Sequence, residues 1–241
     1  ELKKNSEFKE VIIGIIETQA VLYGIKGQFS EAEDELDRAE RIIRKSDKLI
    51  GIDQLSTAKE LSSLFIQLGR YAQTADLLDN LVAEYEKLYG KNSLRLVEPL
   101  VNKGRLALAK GDYTQAERLA QRANQIALSV YKETSTKTAP TQKLISDIDY
   151  IIGDYDNAER NILKAVRAQE GQFGRQHVET ARSLSQLSLI KFYKGDDKKE
   201  VEKIMTESRK TIGDRLGTDN PTYAEILKNL AVLYISQKRY N

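Results

Sequence analysis

A turn signature returns along this 241-residue chain every 42 residues, and that interval leaves few folds open. Gly27-Gln28-Phe29 recurs as Gly69-Arg70-Tyr71, Gly111-Asp112-Tyr113, Gly153-Asp154-Tyr155 and Gly195-Asp196-Asp197. A sixth copy, Lys238-Arg239-Tyr240, comes 43 residues later and lacks the glycine. Seven residues before each turn stands a small residue: Ala20, Ser62, Gly104, Ser146, Ser188 and Ala231. Five after the turn come Ala32, Thr74, Ala116 and Ala158, and twelve after come Ala39, Leu81, Ala123 and Ala165. Between turns the apolar period is helical, as in Leu184, Leu187, Ile190 and in Leu227, Leu230, Leu233. Each period is therefore a helix, a tight turn and a second helix. One such unit cannot bury its apolar stripe alone, so the units must stack.

The 43-residue step can be placed. Counting from Asp196 puts Val201, Met205 and Ser208 where the preceding unit has Ala158, Ile162 and Ala165, so one extra residue is expected in the turn 195–199. A surface turn absorbs an insertion, whereas one inside a helix would rotate its apolar face by ~100°. Glu31, Glu33, Glu117 and Glu159 open second helices at the positive end of the dipole. Gly90, Gly174 and Gly217 are expected to end helices, while Asn220-Pro221 and Pro140 suit first turns. The small residues have a packing purpose, letting neighbouring helices approach closely. The chain opens at Glu1 without a methionine and stops at Asn241 before a second helix of the sixth unit, so it is expected to be part of a longer protein.

Composition narrows the function. Lys and Arg number 38 against 36 Asp and Glu, a net charge of +2 that supplies no footprint for nucleic acid. No run of ~18 apolar residues exists, so no segment is expected to insert in a membrane. Cysteine is absent, which removes disulfides, thiol nucleophiles and thiolate metal sites, and there is one histidine.

The pattern Gly-x-Tyr-x-x-Ala-x-x-x-hydrophobic-x-x-Ala, with a small residue seven before the glycine, resembles the tetratricopeptide repeat. Its fullest copy is Gly-Asp-Tyr-Asp-Asn-Ala-Glu-Arg-Asn-Ile-Leu-Lys-Ala at 153–165. The 42-residue period, against the usual ~34, is similar to the longer repeats of kinesin light chain and of bacterial arrays joined to caspase-like CHAT domains. Their Leu-Gly-x-x-His-Pro-x-x-Ala segment between repeats appears as Leu216-Gly217-Thr218-Asp219-Asn220-Pro221-Thr222-Tyr223-Ala224, and more weakly as Phe173-Gly174-Arg175-Gln176-His177-Val178. HEAT and armadillo arrays have comparable periods but do not account for the Gly-x-Tyr register. The resemblance implies an all-α, right-handed α-solenoid of antiparallel helix pairs without strands. One array of about five and a half repeats is expected over 1–241, at 10–51, 52–93, 94–135, 136–177, 178–220 and partly 221–241. The aromatic that the family places four before the turn is kept as Tyr23, Phe65 and Tyr234 but reads Ala107, Asp149 and Lys191 in the middle units. An ion pair between Asp149 and Lys191 on adjacent repeats is open, beside the alternative that each reaches solvent separately.

No catalytic constellation is apparent. His177 falls at the family's inter-repeat histidine position, and a structural role in that loop is expected, because nothing positions a nucleophile beside it. Asp147 and Asp149 point about 200° apart on a helix and cannot share a metal. Neither enzyme activity, cofactor nor metal is expected.

By resemblance, the first helix of each pair lines a concave groove, at positions ten, nine, six, three and two before the turn. Lys59, Asn102, Arg105, Lys143, Lys228 and Asn229 then suit an extended, acidic protein or peptide segment. Tyr150, Phe192 and Tyr193 would seat its apolar side chains. Asp147, one turn after Lys143, competes for that charge, and a basic face is also ordinary on a chain with 31% charged residues. Two functions follow. One is a protein-interaction scaffold that binds a peptide or partner domain in the groove. The other is an architectural or regulatory arm of a larger protein, for example one with a CHAT domain. End-to-end association through the last helix is also expected, with Leu227, Leu230, Leu233 and Tyr234 as its apolar face.

Overall fold

A computed structural model describes residues 2–44, 62, 64–66 and 68–239, and among these residues there are helices and no strand. The chain divides into two compact units, Glu1–Lys91 and Asn92–Asn241. The first contains α1 (Leu2–Ile25), α2 (Phe29–Arg44) and α3 (Tyr71–Tyr89). Ala20, Ala32, Leu36 and Leu64 form its core, with the small residues where the repeat register puts them.

The second unit opens with a 3-10 turn, Leu94–Leu96, followed by α4 (Val97–Ala109), α5 (Tyr113–Leu128), α6 (Ala139–Ile151) and α7 (Tyr155–Phe173). Three more helices complete it: α8 (Val178–Lys194), α9 (Lys198–Leu216) and α10 (Pro221–Ser236). Helices pair as α4 with α5, α6 with α7 and α8 with α9, and each pair packs on the next; α4 also lies beside α6, and α8 beside α10. This is the all-α helix-pair repeat read from the period. Ala158, Ile162 and Ala165 of α7 meet Leu184, Leu187 and Ile190 of α8 in one core. Val201, Met205 and Ile212 of α9 meet Ile226, Leu230 and Leu233 of α10 in another. Each buried Ile, Leu or Met contributes about 1.5–3 kcal/mol by leaving water.

One hydrogen-bond motif explains the turn register. The residue after each turn position donates its N–H to the carbonyl five residues back: Gln28 to Tyr23 (2.9 Å), Arg70 to Phe65 (2.8 Å) and Asp112 to Ala107 (2.9 Å). Asp154 donates likewise to Asp149 (2.8 Å), Asp196 to Lys191 (3.0 Å) and Arg239 to Tyr234 (2.9 Å). This Schellman closure needs a left-handed residue at the turn, which glycine supplies at φ 78° in Gly27 and Gly111 and 85° in Gly153. The acceptor is a backbone carbonyl, so the side chain four before the turn is free to vary. That is why Ala107, Asp149 and Lys191 replace the expected aromatic without loss of the turn.

In the sixth turn Lys238 takes the glycine's place at φ 57°, the one non-glycine with positive φ among the described residues. Arg239 holds this turn, lying 4.6 Å over the Tyr234 ring and 2.6 Å from the Glu202 carboxylate. A side chain in the left-handed region costs about 1–2 kcal/mol. Lys238→Gly is therefore expected to strengthen the end of α10 by about 1 kcal/mol, after allowance for the looser unfolded chain. Slower amide exchange in α10 would report it, and unchanged protection would contradict it.

The fifth turn carries the extra residue as expected. Asp112 and Asp154 cap α5 and α7 directly after the turn glycine, whereas Asp196 intervenes before the cap Asp197 of α9. Register is restored beyond it, since Val201 and Met205 are fully buried and Ser208 nearly so.

Between repeats a second device recurs. Side chains of Ser93, Ser135, His177 and Asn220, spaced 42, 42 and 43 apart, accept the backbone N–H two residues on, at 3.3, 3.2, 3.2 and 3.0 Å. His177 accepts through Nδ1 and stacks on Phe173 with ring centroids 4.5 Å apart. Its role is structural: it caps α8.

Two expectations need correction. Asp149 and Lys191 do not pair. Asp149 accepts from Asn161 at 3.0 Å, while Lys191 meets Asp196 at 2.8 Å and Glu159 at 3.4 Å. On α10, Leu230 and Leu233 are buried against α9, so the side chains left exposed are Leu227, Val232 and Ile235. Ala231 is exposed too, because no described helix packs over it. The exposed apolar residues of α10 are thus a different set from the one the sequence pattern suggests, sharing only Leu227 with it.

Candidate functional site

The first helices α4, α6 and α8 of the second unit carry two groups of the residues picked from the sequence. Arg105 of α4 and Lys143 of α6 line one cavity of 440 Å³, which is closed from α7 by Gln169 and Phe173 and from α8 by Glu179. Arg105 makes one long hydrogen bond, 3.5 Å to Asn102 Oδ1. Among the described residues neither Arg105 nor Lys143 has an ion-pair partner within 4.0 Å, in contrast to Arg175, Lys191, Lys194 and Arg239. Burial pushes the Lys143 ammonium below its ordinary pKa; Glu179 opposes that shift and Arg105 adds to it.

Asp147, one turn along α6, is the local counter-charge. Its Oδ1 accepts from Gln186 Nε2 of α8 at 2.5 Å, and the same Gln186 amide lies 3.4 Å from the Lys143 carbonyl. Burial pushes the Asp147 carboxyl up to about 6, against the pull of Arg105 and Lys143, and Glu225 of α10 adds to the rise. The site is thus a strip of partly desolvated charge across α4, α6 and α8, with the exposed Glu225 of α10 acting on its edge.

The second group is aromatic. Tyr150 lies edge-on to Tyr193 with centroids 5.6 Å apart, and Phe192 meets Tyr193 at 5.1 Å. Tyr155, the turn aromatic, completes the group, stacked on Tyr193 at 6.1 Å. Burial raises the Tyr150 hydroxyl pKa, and its hydrogen bond to Tyr193 adds to this. Tyr193 is exposed and so open to a ligand.

The other sequence candidates fall elsewhere. Lys59 lies outside the described residues. Asn102 and Asn229 are each only 6% exposed. They are covered, with Leu144 of the same row, where first helices of the second unit pack side by side, so these positions belong to the seam between helices, whereas Gln186 in that row stays partly exposed. Lys228 is exposed on α10, and no hydrogen bond or ion pair among the described residues joins it or Asn229 to either group. Gln169 and Glu179 were not singled out in the sequence, and Gln186, in the groove row nine before its turn, was not among the residues chosen. Gln169 stands on a second helix, and Gln186 differs from many surface glutamines only through its bond to α6. No group of three or more His, Cys, Asp or Glu that could hold a metal occurs among the described residues. No helix among them is long and apolar enough to cross a membrane.

Helix pairs closed by a glycine turn, stacked with small residues at the crossing, define a repeat scaffold. Residues 53–129 match the family model described as tetratricopeptide repeat. The fold is that of tetratricopeptide arrays of the kinesin-light-chain-like type. A kinesin-light-chain-type protein of Podosopora anserina with nearly identical TPR-like repeats superposes with TM-score 0.59 at 16% identity, over 78% of this chain and 88% of that one. A point variant of that protein gives 0.60 over the same shares. BtubC (BKLC) from P. vanneervenii gives TM-score 0.61 at 15% identity, over 89% of this chain and 87% of that one. No curated protein matches the chain. Tetratricopeptide repeats as a class mediate protein–protein interactions and are non-catalytic scaffolds.

Proposed function

We propose that this chain is a protein-interaction scaffold whose second unit binds an extended acidic segment of a partner along α4, α6 and α8. The observation that carries this reading is the pair of cations, Arg105 and Lys143, that share one cavity without an ion-pair partner. Holding an ammonium and a guanidinium partly out of water is costly unless an anion arrives to pair with them. The aromatic group around Tyr193 supplies a contact for an apolar side chain further along the same face. The repeat register, from 10–51 to 221–241, is read as one array in which this face recurs.

Fluorescence anisotropy with acidic and neutral extended peptides of matched length tests the reading. Acidic peptides are expected to bind, and Arg105→Glu/Lys143→Glu to weaken them at least about tenfold, the effect of ~1.4 kcal/mol. Raising the salt should weaken binding in the same direction. Binding that ignores both cations would remove the groove reading and leave the architectural arm as the better description.

A further inference from the structure

We infer that a second copy of this chain docks on the second helices, the acidic row of one copy's first unit facing the basic row of the other copy's second unit. This surface is separate from the proposed peptide face, which lies on first helices. It is carried by the seventh position after each turn. That position reads Asp34 on α2, Asp76 on α3, Arg118 on α5, Arg160 on α7 and, counted past the inserted residue, Lys203 on α9. All five are exposed. One repeat position is thus negative on both second helices of the first unit and positive on all three of the second.

Net charge follows the same division. Residues 1–91 hold 17 Asp and Glu against 13 Lys and Arg, whereas residues 92–241 hold 19 against 25. Solvation asks only for charge of either sign. Like charges at equivalent positions of successive repeats repel one another, and a docked row of opposite sign relieves that repulsion.

The fold itself leaves these charges unanswered, because their neighbours are engaged elsewhere. In the first unit Arg70 is held by Asp37 at 3.1 Å and Glu33 at 3.6 Å, and Arg38 by Glu35 at 3.4 Å. Neither Asp34 nor Asp76 has an ion pair among the described residues. In the second unit the acids that precede the basic row accept from other donors. Glu117 accepts from Gln121 at 2.9 Å, Glu159 from Lys194 at 2.8 Å and Glu202 from Arg239 at 2.6 Å. Arg118 donates only to Gln115, and Arg160 to Asn157 and the Asp156 carbonyl, so neither is ion-paired. Lys203 has no hydrogen bond or ion pair among the described residues. Both rows are built on one repeat, so their charges recur at the same interval and can meet charge for charge. That match in sign and register is what points to a copy of the same chain.

Sedimentation velocity of the full chain over a range of concentrations tests this. Asp34→Lys/Asp76→Lys makes the row basic throughout, and Arg118→Glu/Arg160→Glu/Lys203→Glu makes it acidic throughout. Every substituted side chain is exposed, so both variants should keep the parent's circular dichroism and melting. The parent is expected to self-associate at low salt and to separate at high salt. Each variant alone should self-associate at least about tenfold more weakly, and an equimolar mixture of the two should assemble again, since each then meets its opposite. A parent that stays monomeric at low salt at every concentration overturns the inference. So does assembly that persists in either variant, or a mixture no better associated than its components. Arg105→Glu/Lys143→Glu separates this surface from the peptide face: it should assemble as the parent does. Loss of assembly there would move the acidic row onto the first helices and overturn the inference, whereas its loss of acidic-peptide binding bears on the peptide face alone.

Discussion

Ser146→Leu is expected to destabilise the second unit by about 3 kcal/mol or more. Ser146 is fully buried on α6, seven residues before the turn, and its Oγ donates to the Ala158 carbonyl of α7 at 2.8 Å. That distance fixes how closely the two helices cross, opposite an alanine with no side chain to yield. The larger leucine must displace one helix, and forced insertions of this kind cost about 1–3 kcal/mol and occasionally more. The lost hydrogen bond adds about 1 kcal/mol. The neighbouring repeat shows how little slack exists: a Cβ on the equivalent Gly104 would stand 2.6 Å from Leu144 Cδ2, inside a fully buried side chain. Ser146→Ala is the control and should lose only the hydrogen-bond share. Urea denaturation followed by circular dichroism measures both, and an unchanged midpoint for the leucine variant would contradict the assigned register.

The turn and the helix crossing were legible in the sequence because each depends on one residue type at one position. A left-handed turn needs glycine, a close crossing needs a small side chain, and both recur every 42 residues. The insertion at Asp196 was legible for the same reason, since every buried position after it moved by one. Pairings across repeats were not legible. Asp149 and Lys191 occupy equivalent positions, but equivalence in register places side chains a repeat apart, and nearer partners, Asn161 and Asp196, took them first. The first-helix candidates were legible only as groups. Arg105 and Lys143 line one cavity, and Tyr150, Phe192 and Tyr193 form one aromatic cluster, but Asn102 and Asn229 turn into the helix seam. A spacing of one residue rotates a side chain by ~100°, so a row at the edge of a face cannot be assigned without knowing how the next helix leans on it. The wall formed by Gln169 and Phe173 lay beyond reach, because it depends on how far the end of α7 leans toward the first helices.

Asp147→Asn is expected to stabilise the protein at pH 7 by about 1–3 kcal/mol while leaving the helix contact in place. The asparagine retains an oxygen for the Gln186 amide, now 2.5 Å from Asp147 Oδ1. What it removes is a carboxylate whose burial outweighs the attraction of Arg105 and Lys143, raising its pKa from 3.8 to about 6, with Glu225 of α10 contributing. The folded chain therefore holds a proton that the unfolded chain has already released. Between about pH 4 and pH 6 stability falls as pH rises, by up to about 1.4 kcal/mol per unit, and above that range the contribution is flat. The full shift would correspond to about 3 kcal/mol, and partial exposure of the group to solvent reduces it. Urea midpoints measured across and above that window should show the parent losing stability within it and the variant losing less. Parallel curves for the two proteins would mean that the carboxylate is solvated rather than confined. The same substitution removes one counter-charge of Arg105 and Lys143 and leaves Glu179 beside Lys143, so affinity for an acidic peptide should rise as stability does. That coupling distinguishes a charge strip kept for an incoming anion from one balanced for the fold alone: in the second case, neutralising Asp147 would leave two half-buried cations less balanced and weaken the protein at pH 7.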